Sequence, residues 1–278
     1  MLYGTGITSD RRDHPYHILP PSPWPILTAA NVLFIASTFV ICIHRMFKPF
    51  GIYLFIISVI SFVLTLFFWW NDVIRESFDG HHTPAVVAGL RMGFALFIIS
   101  EVMFFFGFFW SFFYYALSPA IQIGCMWPPA GITPINPLGL PLSNTLFLLT
   151  SGLSVTYAHR AVLNNDIRTG RDGLKITLKA SYCFLLIQFF EYLMAPFSIA
   201  DSVYGSIFFL LTGFHGFHVL VGTIYLRVCL HRHGLNHFTP THHVGLETAI
   251  WYWHFVDVVW IFLYIFVYIW GGYRTPIL

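Results

Sequence analysis

The chain has 278 residues, of which 57% are apolar and 9% are charged, and its formal net charge is +2. A soluble domain carries roughly 25% charged residues, so this composition excludes an ordinary water-soluble globular protein. The near-neutral charge and the absence of a basic run also exclude a nucleic-acid-binding chain. The cysteines are far apart and show no spacing typical of a disulfide framework or a zinc site: Cys42, Cys125, Cys183 and Cys229.

Seven apolar stretches are long enough to cross a hydrocarbon core of about 30 Å, which requires about 20 helical residues. They lack the alternation of lipid-facing strands, and helices satisfy their own backbone groups in lipid. The sequence therefore predicts an all-α membrane protein with seven transmembrane helices. The predicted spans are residues 26–43, 50–70, 92–117, 140–158, 180–197, 203–226 and 248–273.

The distribution of Lys and Arg predicts the orientation of these spans. Seven spans place the two termini on opposite sides, and the N-terminal side then holds most of the 14 basic residues. By the positive-inside rule this side faces the cytoplasm or, in a mitochondrion, the matrix. The residues on that side are Arg11, Arg12, Arg75, Arg91, Arg160, Arg168, Arg171, Lys175, Lys179, Arg227 and Arg232, whereas Arg45, Lys48 and Arg274 lie opposite.

Two proline-rich segments connect to or between the spans. Residues 1–25 carry five prolines between Pro15 and Pro25, which predicts an extended N-terminal segment. Residues 118–139 also carry five prolines and no charged residue. We expect this uncharged segment to pack over helix ends or against a neighbouring subunit.

Glu101 is the most unusual residue within a predicted span. It lies about 13.5 Å along the third span from Met92, near the middle of the membrane, and its neighbours are nearly all apolar. A carboxyl group costs at least about 2.5 kcal/mol there, so a function is a reasonable hypothesis. One interpretation is a buffered or relayed proton. The other is a protonated carboxyl that forms a structural hydrogen bond to an adjacent helix.

Further ionisable residues lie in the sixth and seventh spans. His215 and His218 are three residues apart on one helix face, and His254 and Asp257 have the same spacing. Such pairs do not complete a metal site, so interhelical hydrogen bonds are favoured over ligation. We expect Glu101 to meet His215 or His218 across the third and sixth spans. For Glu191, near a predicted span end, we expect a snorkelling or capping role.

The segment 69–84 and the end of the sixth span are polar and lie at the same predicted membrane face. Trp70 is typical of an interfacial aromatic residue. Basic and histidine side chains here, with Glu76, have the chemistry to bind lipid headgroups, although a solvated loop remains the alternative. His242 and His243, just before the seventh span, are interpreted as surface or loop residues rather than ligands.

Several long segments resemble subunit III of the haem–copper cytochrome c oxidases. They include "WWNDVIRES", "ISEVMFFFGFFW", "WPPAGITPINP", "TGFHGFHVLVGT" and "HHVGLETAIWYWHFVDVVWIFLY". The resemblance runs in the family's order from residue 16 to about residue 272. It implies two bundles separated by a V-shaped, lipid-filled cleft. The implied organisation is an N-terminal segment 1–25, a two-helix bundle 26–91 and a five-helix bundle 92–278.

The resemblance also implies roles for particular residues. Glu101 matches the family's carbodiimide-reactive glutamate, and four residues match positions that contact cleft phospholipids: Trp70, Glu76, His82 and Arg232. The family's subunit III carries no metal, because haem and copper belong to subunits I and II. The implied roles are support of proton uptake, longer working life of the enzyme and a lipid-filled route for oxygen.

The implied partners are oxidase subunits I and II, further complex IV subunits and phospholipids. The implied location is the mitochondrial inner membrane with the N-terminus in the matrix, and a bacterial plasma membrane remains an alternative. Two other functions stay open at this point. One is an autonomous proton-coupled transporter that uses Glu101 and Asp257, and the other is a membrane enzyme with its own metal on the histidines.

Overall fold

The computed structural model describes residues 14–272, which fold into seven long helices. Parts of the predicted N-terminal segment and the basic residues Arg11, Arg12 and Arg274 lie outside the described residues. The seventh helix continues as a π-helical stretch, Leu263–Ile269, and a 3₁₀ turn, Trp270–Gly272. The helices are α1 (Trp24–Ile43), α2 (Phe50–Phe78), α3 (Pro84–Leu117), α4 (Leu140–Leu163), α5 (Ile167–Met194), α6 (Ser202–Gly234) and α7 (Val244–Phe262).

Six of these helices are long and apolar enough to cross a membrane, counting α7 with its continuation to Gly272. The exception is α4, whose 24 residues span about 36 Å but include many hydroxyl side chains. The prediction of a helical membrane protein with seven helices is confirmed. The V-shaped cleft and the assignment of spans to two bundles stay predictions.

Most helices extend beyond the predicted apolar spans, and the added residues lie almost entirely in the polar segments 71–91, 159–179 and 227–247. The largest difference concerns α5, which begins at Ile167 rather than near residue 180. Asp166 starts it, since its side chain accepts a hydrogen bond from the Thr169 backbone N–H at 3.0 Å. The helix ends at Met194, because Pro196 lacks the N–H needed to continue it. The helix therefore begins 13 residues before the predicted span 180–197 and ends three residues before the end of that span.

The chain divides into two compact units, Met1–Leu90 and Arg91–Leu278. In the first unit, hydrogen bonds between side chains join α1 to α2. Asn31 donates to Thr65 at 2.9 Å and accepts from Ser61 at 2.8 Å, while the Thr38 and Ser58 hydroxyls lie 3.0 Å apart. In lipid, where helices gain little from apolar burial, such bonds help to hold a helix pair together.

The second unit has a core rich in aromatic side chains. Two tryptophans of this core need hydrogen-bond acceptors for their N–H groups, and the hydroxyl side chains of α4 supply them. Indole N–H groups of α7 donate to α4: Trp253 to Ser151 and Trp260 to Thr145, each at 2.9 Å. The hydroxyls of α4 therefore satisfy buried donors that lipid could not satisfy. Small residues bring α4 and α5 close together, since a Cβ added at Gly173 would lie 2.8 Å from the Cβ of Ala158.

The uncharged segment 118–139 packs over helix ends in the second unit. Trp127 is only 4% exposed, and its ring contacts Phe112 of α3 and Tyr204 of α6 at centroid distances of 5.8 and 5.2 Å. Ile132 is also buried. The expectation that this segment packs rather than extends into water is therefore confirmed for these residues.

Candidate functional site

Glu101 lies midway along α3, and the structure brings it to His218 of α6. The distance from Glu101 Oε2 to His218 Nε2 is 2.7 Å. The carboxyl side chain is 23% exposed and the imidazole 9% exposed, so the pair lies at the edge of the protein core. Since most of α3 faces outward, the carboxyl group lies among side chains that would face lipid or a partner.

The ring of His218 is held in place by aromatic side chains and by a backbone carbonyl. Phe105 meets it edge-on at 5.0 Å between centroids, and Tyr252 stacks on it at 6.2 Å. Its Nδ1 lies 2.6 Å from the carbonyl oxygen of Phe214. Because a carbonyl oxygen only accepts, Nδ1 carries a hydrogen and donates it.

This tautomer determines what Glu101 and His218 do together. With Nδ1 protonated, the contact between Nε2 and the carboxyl group contains one shared proton. The proton lies either on the carboxyl oxygen, which leaves both groups neutral, or on Nε2, which gives an ion pair. The arrangement can therefore hold a proton within a single short hydrogen bond near the middle of α3.

His215 does not meet Glu101, although it shares a helix face with His218. It is 1% exposed, and its Nε2 donates to the carbonyl oxygen of Val256 in α7 at 3.2 Å. Its Nδ1 has no hydrogen-bond partner, and its ring packs against Phe184 and Trp260. These contacts are typical of a neutral, structural histidine.

Glu191 is buried, so the interpretation of a snorkelling or capping residue is wrong. It is 2% exposed, and its Oε1 accepts hydrogen bonds from the hydroxyl of Tyr268 at 2.5 Å and the amide of Gln188 at 3.2 Å. The side chain points into the bundle, where it meets Tyr268 of the π-helical stretch Leu263–Ile269. The sequence signal for this group of hydrogen bonds is that two polar residues, Gln188 and Glu191, lie three positions apart within an apolar run.

His254 and Asp257 lie close together on α7, as their spacing predicts. The distance from His254 Nδ1 to Asp257 Oδ2 is 3.6 Å, and His254 Nε2 lies 3.2 Å from the hydroxyl of Thr156. Asp257 is 7% exposed and fits against Gly152, where a Cβ would lie within 2.5 Å of its Oδ2. The pair joins α7 to α4.

The four residues matched to lipid contacts fall in different units. In the first unit, Trp70 of α2 is 60% exposed, Glu76 near the end of α2 is half-buried, and His82 follows α2. In the second unit, Arg232 lies in the last turn of α6, with its guanidinium carbon 4.7 Å from the centre of the Phe238 ring. Arg232 Nε has no hydrogen-bond partner.

At the beginning of the second unit, Arg91 of α3 joins Glu247 of α7. Its Nε and Nη2 both contact Glu247 Oε2, at 2.9 and 2.8 Å. Within residues 14–272 no group of three or more His, Cys, Asp or Glu side chains is arranged to hold a metal ion.

Comparison with known proteins reveals a close relationship over nearly the whole chain. The family "Cytochrome c oxidase subunit III" matches residues 14–272. The cytochrome c oxidase subunit 3 of Bos taurus is 51% identical over 93% of this chain and 98% of its own length. The subunits of Drosophila melanogaster and Prototheca wickerhamii are each 50% identical, over 95% and 94% of this chain and 100% and 99% of their own lengths. This multi-pass membrane chain belongs to the cytochrome c oxidase subunit III family.

Proposed function

We propose that this chain is a core subunit of cytochrome c oxidase that supports oxygen reduction and proton pumping without carrying a redox centre. It assembles with subunits I and II, which hold haem and copper, and with further complex IV subunits. Family membership and the six apolar helices support this proposal. The excess of Lys and Arg on the N-terminal side supports a matrix-facing N-terminus in the mitochondrial inner membrane.

The hydrogen bond between Glu101 and His218 is the observation that carries the proposed proton role. A short contact of 2.7 Å that contains one proton, at the edge of the core, is suited to accept or release that proton beside a partner subunit. Because the hydrogen on Nδ1 of His218 is held by the Phe214 carbonyl, Nε2 is the ring atom that exchanges the proton shared with Glu101. We propose that this pair supports proton uptake into subunit I.

Phospholipid binding is the second part of the proposal. Large apolar side chains are exposed along α1, α2 and α3, including Phe67 at 62% and Trp110 at 66%, and acyl chains would cover such surfaces. The guanidinium of Arg232 suits a lipid phosphate, Glu76 suits an ethanolamine group, and Trp70 and His82 suit the interface. Bound lipid would stabilise the complex and offer oxygen an apolar route.

The variant Glu101→Gln in the assembled oxidase tests the proton role. Glutamine keeps the volume and a hydrogen-bond donor but cannot exchange a carboxyl proton. We expect normal assembly and electron transfer, with slower proton uptake or faster inactivation during turnover. Ser100→Ala, which removes an exposed hydroxyl from the adjacent position, is the matched control.

Two outcomes would contradict this proposal. Loss of assembled complex in Glu101→Gln would assign the carboxyl group a structural role. Wild-type turnover, proton uptake and inactivation rate in an oxidase that lacks the whole chain would contradict the supporting function itself. Proton-coupled uptake by the isolated chain in liposomes would instead support a transporter.

A further inference from the structure

One face of α5 is basic in its first half and apolar in its second half. Its residues follow one another at intervals of three or four, so they lie on one side of the helix. All of them are exposed, whereas Leu174, Phe184 and Glu191 are buried on the opposite side. We call this face the α5 stripe. It consists of Arg168, Arg171, Lys175 and Lys179, followed by Tyr182, Leu186, Phe189 and Leu193.

The basic half of the stripe is only partly neutralised by this chain. Residues 166–179 contain four basic and two acidic side chains, a net charge of +2. Asp166 caps the start of the helix, and Asp172 Oδ1 lies 3.3 Å from Lys175 Nζ in an ion pair that is more than half exposed and therefore weak. In the part of the chain that the structure describes, no carboxylate forms a salt bridge with Lys179. The stripe therefore presents cationic groups to a ligand outside this chain.

The two lysines lie at the level of lipid headgroups. A helix needs about 20 residues to cross a hydrocarbon core of about 30 Å, and α5 ends at Met194. About 20 residues counted back from Met194 reach Lys175, so the edge of the core on the N-terminal side falls near Lys175 and Lys179. A lysine at this edge extends its amino group along the helix toward the headgroups. An unpaired charge there is costly, so a phosphate group beside it stabilises it.

The apolar half of the stripe matches the depth of one leaflet. Tyr182 is 47% exposed, and Leu186 and Phe189 are each 59% exposed. One leaflet contributes half of the hydrocarbon core, about 15 Å, which corresponds to about ten helical residues. The stripe from Lys179 to Phe189 has this length. Acyl chains of one leaflet can therefore lie along the whole distance from the lysines to Phe189.

We propose that the α5 stripe binds an anionic phospholipid of the leaflet on the N-terminal side. Its phosphate group contacts Lys175 and Lys179, and its acyl chains lie along Tyr182, Leu186 and Phe189. The ligand must be anionic at one end and apolar along the rest, because the stripe is cationic and apolar in that order. A zwitterionic lipid fits less well, since its own cationic group would lie close to the two ammonium groups.

This site is separate from the four residues matched to lipid contacts, because none of them lies on α5. It also does not depend on the proposed proton role of Glu101. An acidic partner subunit is the other occupant to test, since it would satisfy the basic half of the stripe. Such a subunit would cover the lysines whatever the lipid composition, whereas a bound lipid covers them only when that lipid is present.

Lysine labelling in the intact oxidase tests the site and distinguishes the two occupants. The oxidase is placed in nanodiscs of phosphatidylcholine, with or without phosphatidylglycerol, and mass spectrometry follows acetylation of each lysine by an amine-reactive ester. Phosphatidylglycerol should slow the labelling of Lys175 and Lys179 by about fivefold or more. Lys48, which is exposed between α1 and α2, is the control in the same chain and should react at a similar rate in both lipids.

Two outcomes of this labelling would overturn the proposal. Fast labelling of Lys175 and Lys179 in both lipids would show a solvated helix face. Slow labelling in both lipids would show that another subunit covers them. Because only the wild type is used, the result does not depend on the assembly of a variant.

A double variant, Lys175→Gln with Lys179→Gln, tests whether binding requires the two charges. Delipidated oxidase is titrated with phosphatidylglycerol, and native mass spectrometry counts the bound lipids. The double variant should bind one lipid fewer than the wild type, or bind that lipid about tenfold more weakly. Lys175→Arg with Lys179→Arg keeps both charges and should bind like the wild type, as should Lys48→Gln. Equal phosphatidylglycerol binding by all four proteins would contradict the proposal.

Discussion

Tyr268 donates its hydroxyl hydrogen to Glu191 Oε1 at 2.5 Å, and this bond joins α5 to the π-helical continuation of α7. Both side chains are 2% exposed. Glu191 Oε2 has no hydrogen-bond partner, so Oε1 receives both of the donors described for this carboxyl group, from Tyr268 and Gln188. A buried carboxyl group with so few donors depends strongly on each of them.

Tyr268→Phe should therefore destabilise the second unit. The change removes one donor and leaves the buried carboxyl under-satisfied, which costs about 1–3 kcal/mol. When the oxidase is heated in steps, we expect this chain to be lost from the complex at a lower midpoint temperature than in the wild type. Quantitative mass spectrometry of the chain retained in the complex measures that temperature. Tyr182→Phe, at a position that is 47% exposed, should leave the midpoint unchanged. A wild-type midpoint for Tyr268→Phe would show that the hydrogen bond contributes little.

The fold follows from the sequence more directly than the site does. Apolar runs of at least 18 residues specify membrane helices whatever their neighbours are, because lipid leaves the backbone no alternative. The polar helix ends are harder to predict, since Asp166 starts α5 well before the apolar run begins. The π-helical stretch Leu263–Ile269 has no signal in the apolar pattern.

The candidate site shows where sequence reasoning stops. The spacing of His215 and His218 predicts that they share one face of α6. Which of them meets Glu101 depends on how α6 is rotated about its axis relative to α3 and α7, and the spacing does not give that rotation. In the structure His218 reaches Glu101 and His215 reaches the Val256 carbonyl. The contact between Glu191 and Tyr268 joins residues 77 apart in the sequence, so no local spacing reveals it.

The two histidines of α6 should respond differently to the same substitution. His215→Gln should lower the amount of assembled oxidase, because it disrupts a fully buried ring packed on Phe184 and Trp260. His218→Gln should preserve assembly but alter proton uptake in the same direction as Glu101→Gln. Assembled complex is measured from the oxidase spectrum, and proton uptake from a pH indicator. The same response from both variants would contradict the distinction.

Gly152→Ala should destabilise the contact between α4 and α7. An added Cβ would lie within 2.5 Å of Asp257 Oδ2, and that carboxyl group is buried and lies 3.6 Å from His254 Nδ1. Overpacking of this kind costs about 1–3 kcal/mol. Gly216→Ala in α6 is the control, because a Cβ there meets nothing within 4 Å. The control should be neutral or slightly stabilising, since Ala favours a helix over Gly. Stepwise heating of the oxidase compares the midpoint temperatures of Gly152→Ala and Gly216→Ala. Equal midpoint temperatures for the two variants would contradict the steric argument.

The cap of α5 should make the start of this helix sensitive to acid. The pKa of Asp166 is lowered, chiefly by its hydrogen bond with Thr169. A carboxyl group with a lowered pKa in the folded state stabilises it above the ordinary pKa, and this contribution is lost as the pH falls through the lowered value. Asp166→Ala should remove the cap at every pH, whereas Asp166→Asn should keep a cap that no longer depends on pH. Hydrogen exchange of the peptide around Thr169, corrected for intrinsic exchange rates, measures both effects. If Asp166→Asn lost protection in acid as the wild type does, another group would be responsible for the pH dependence.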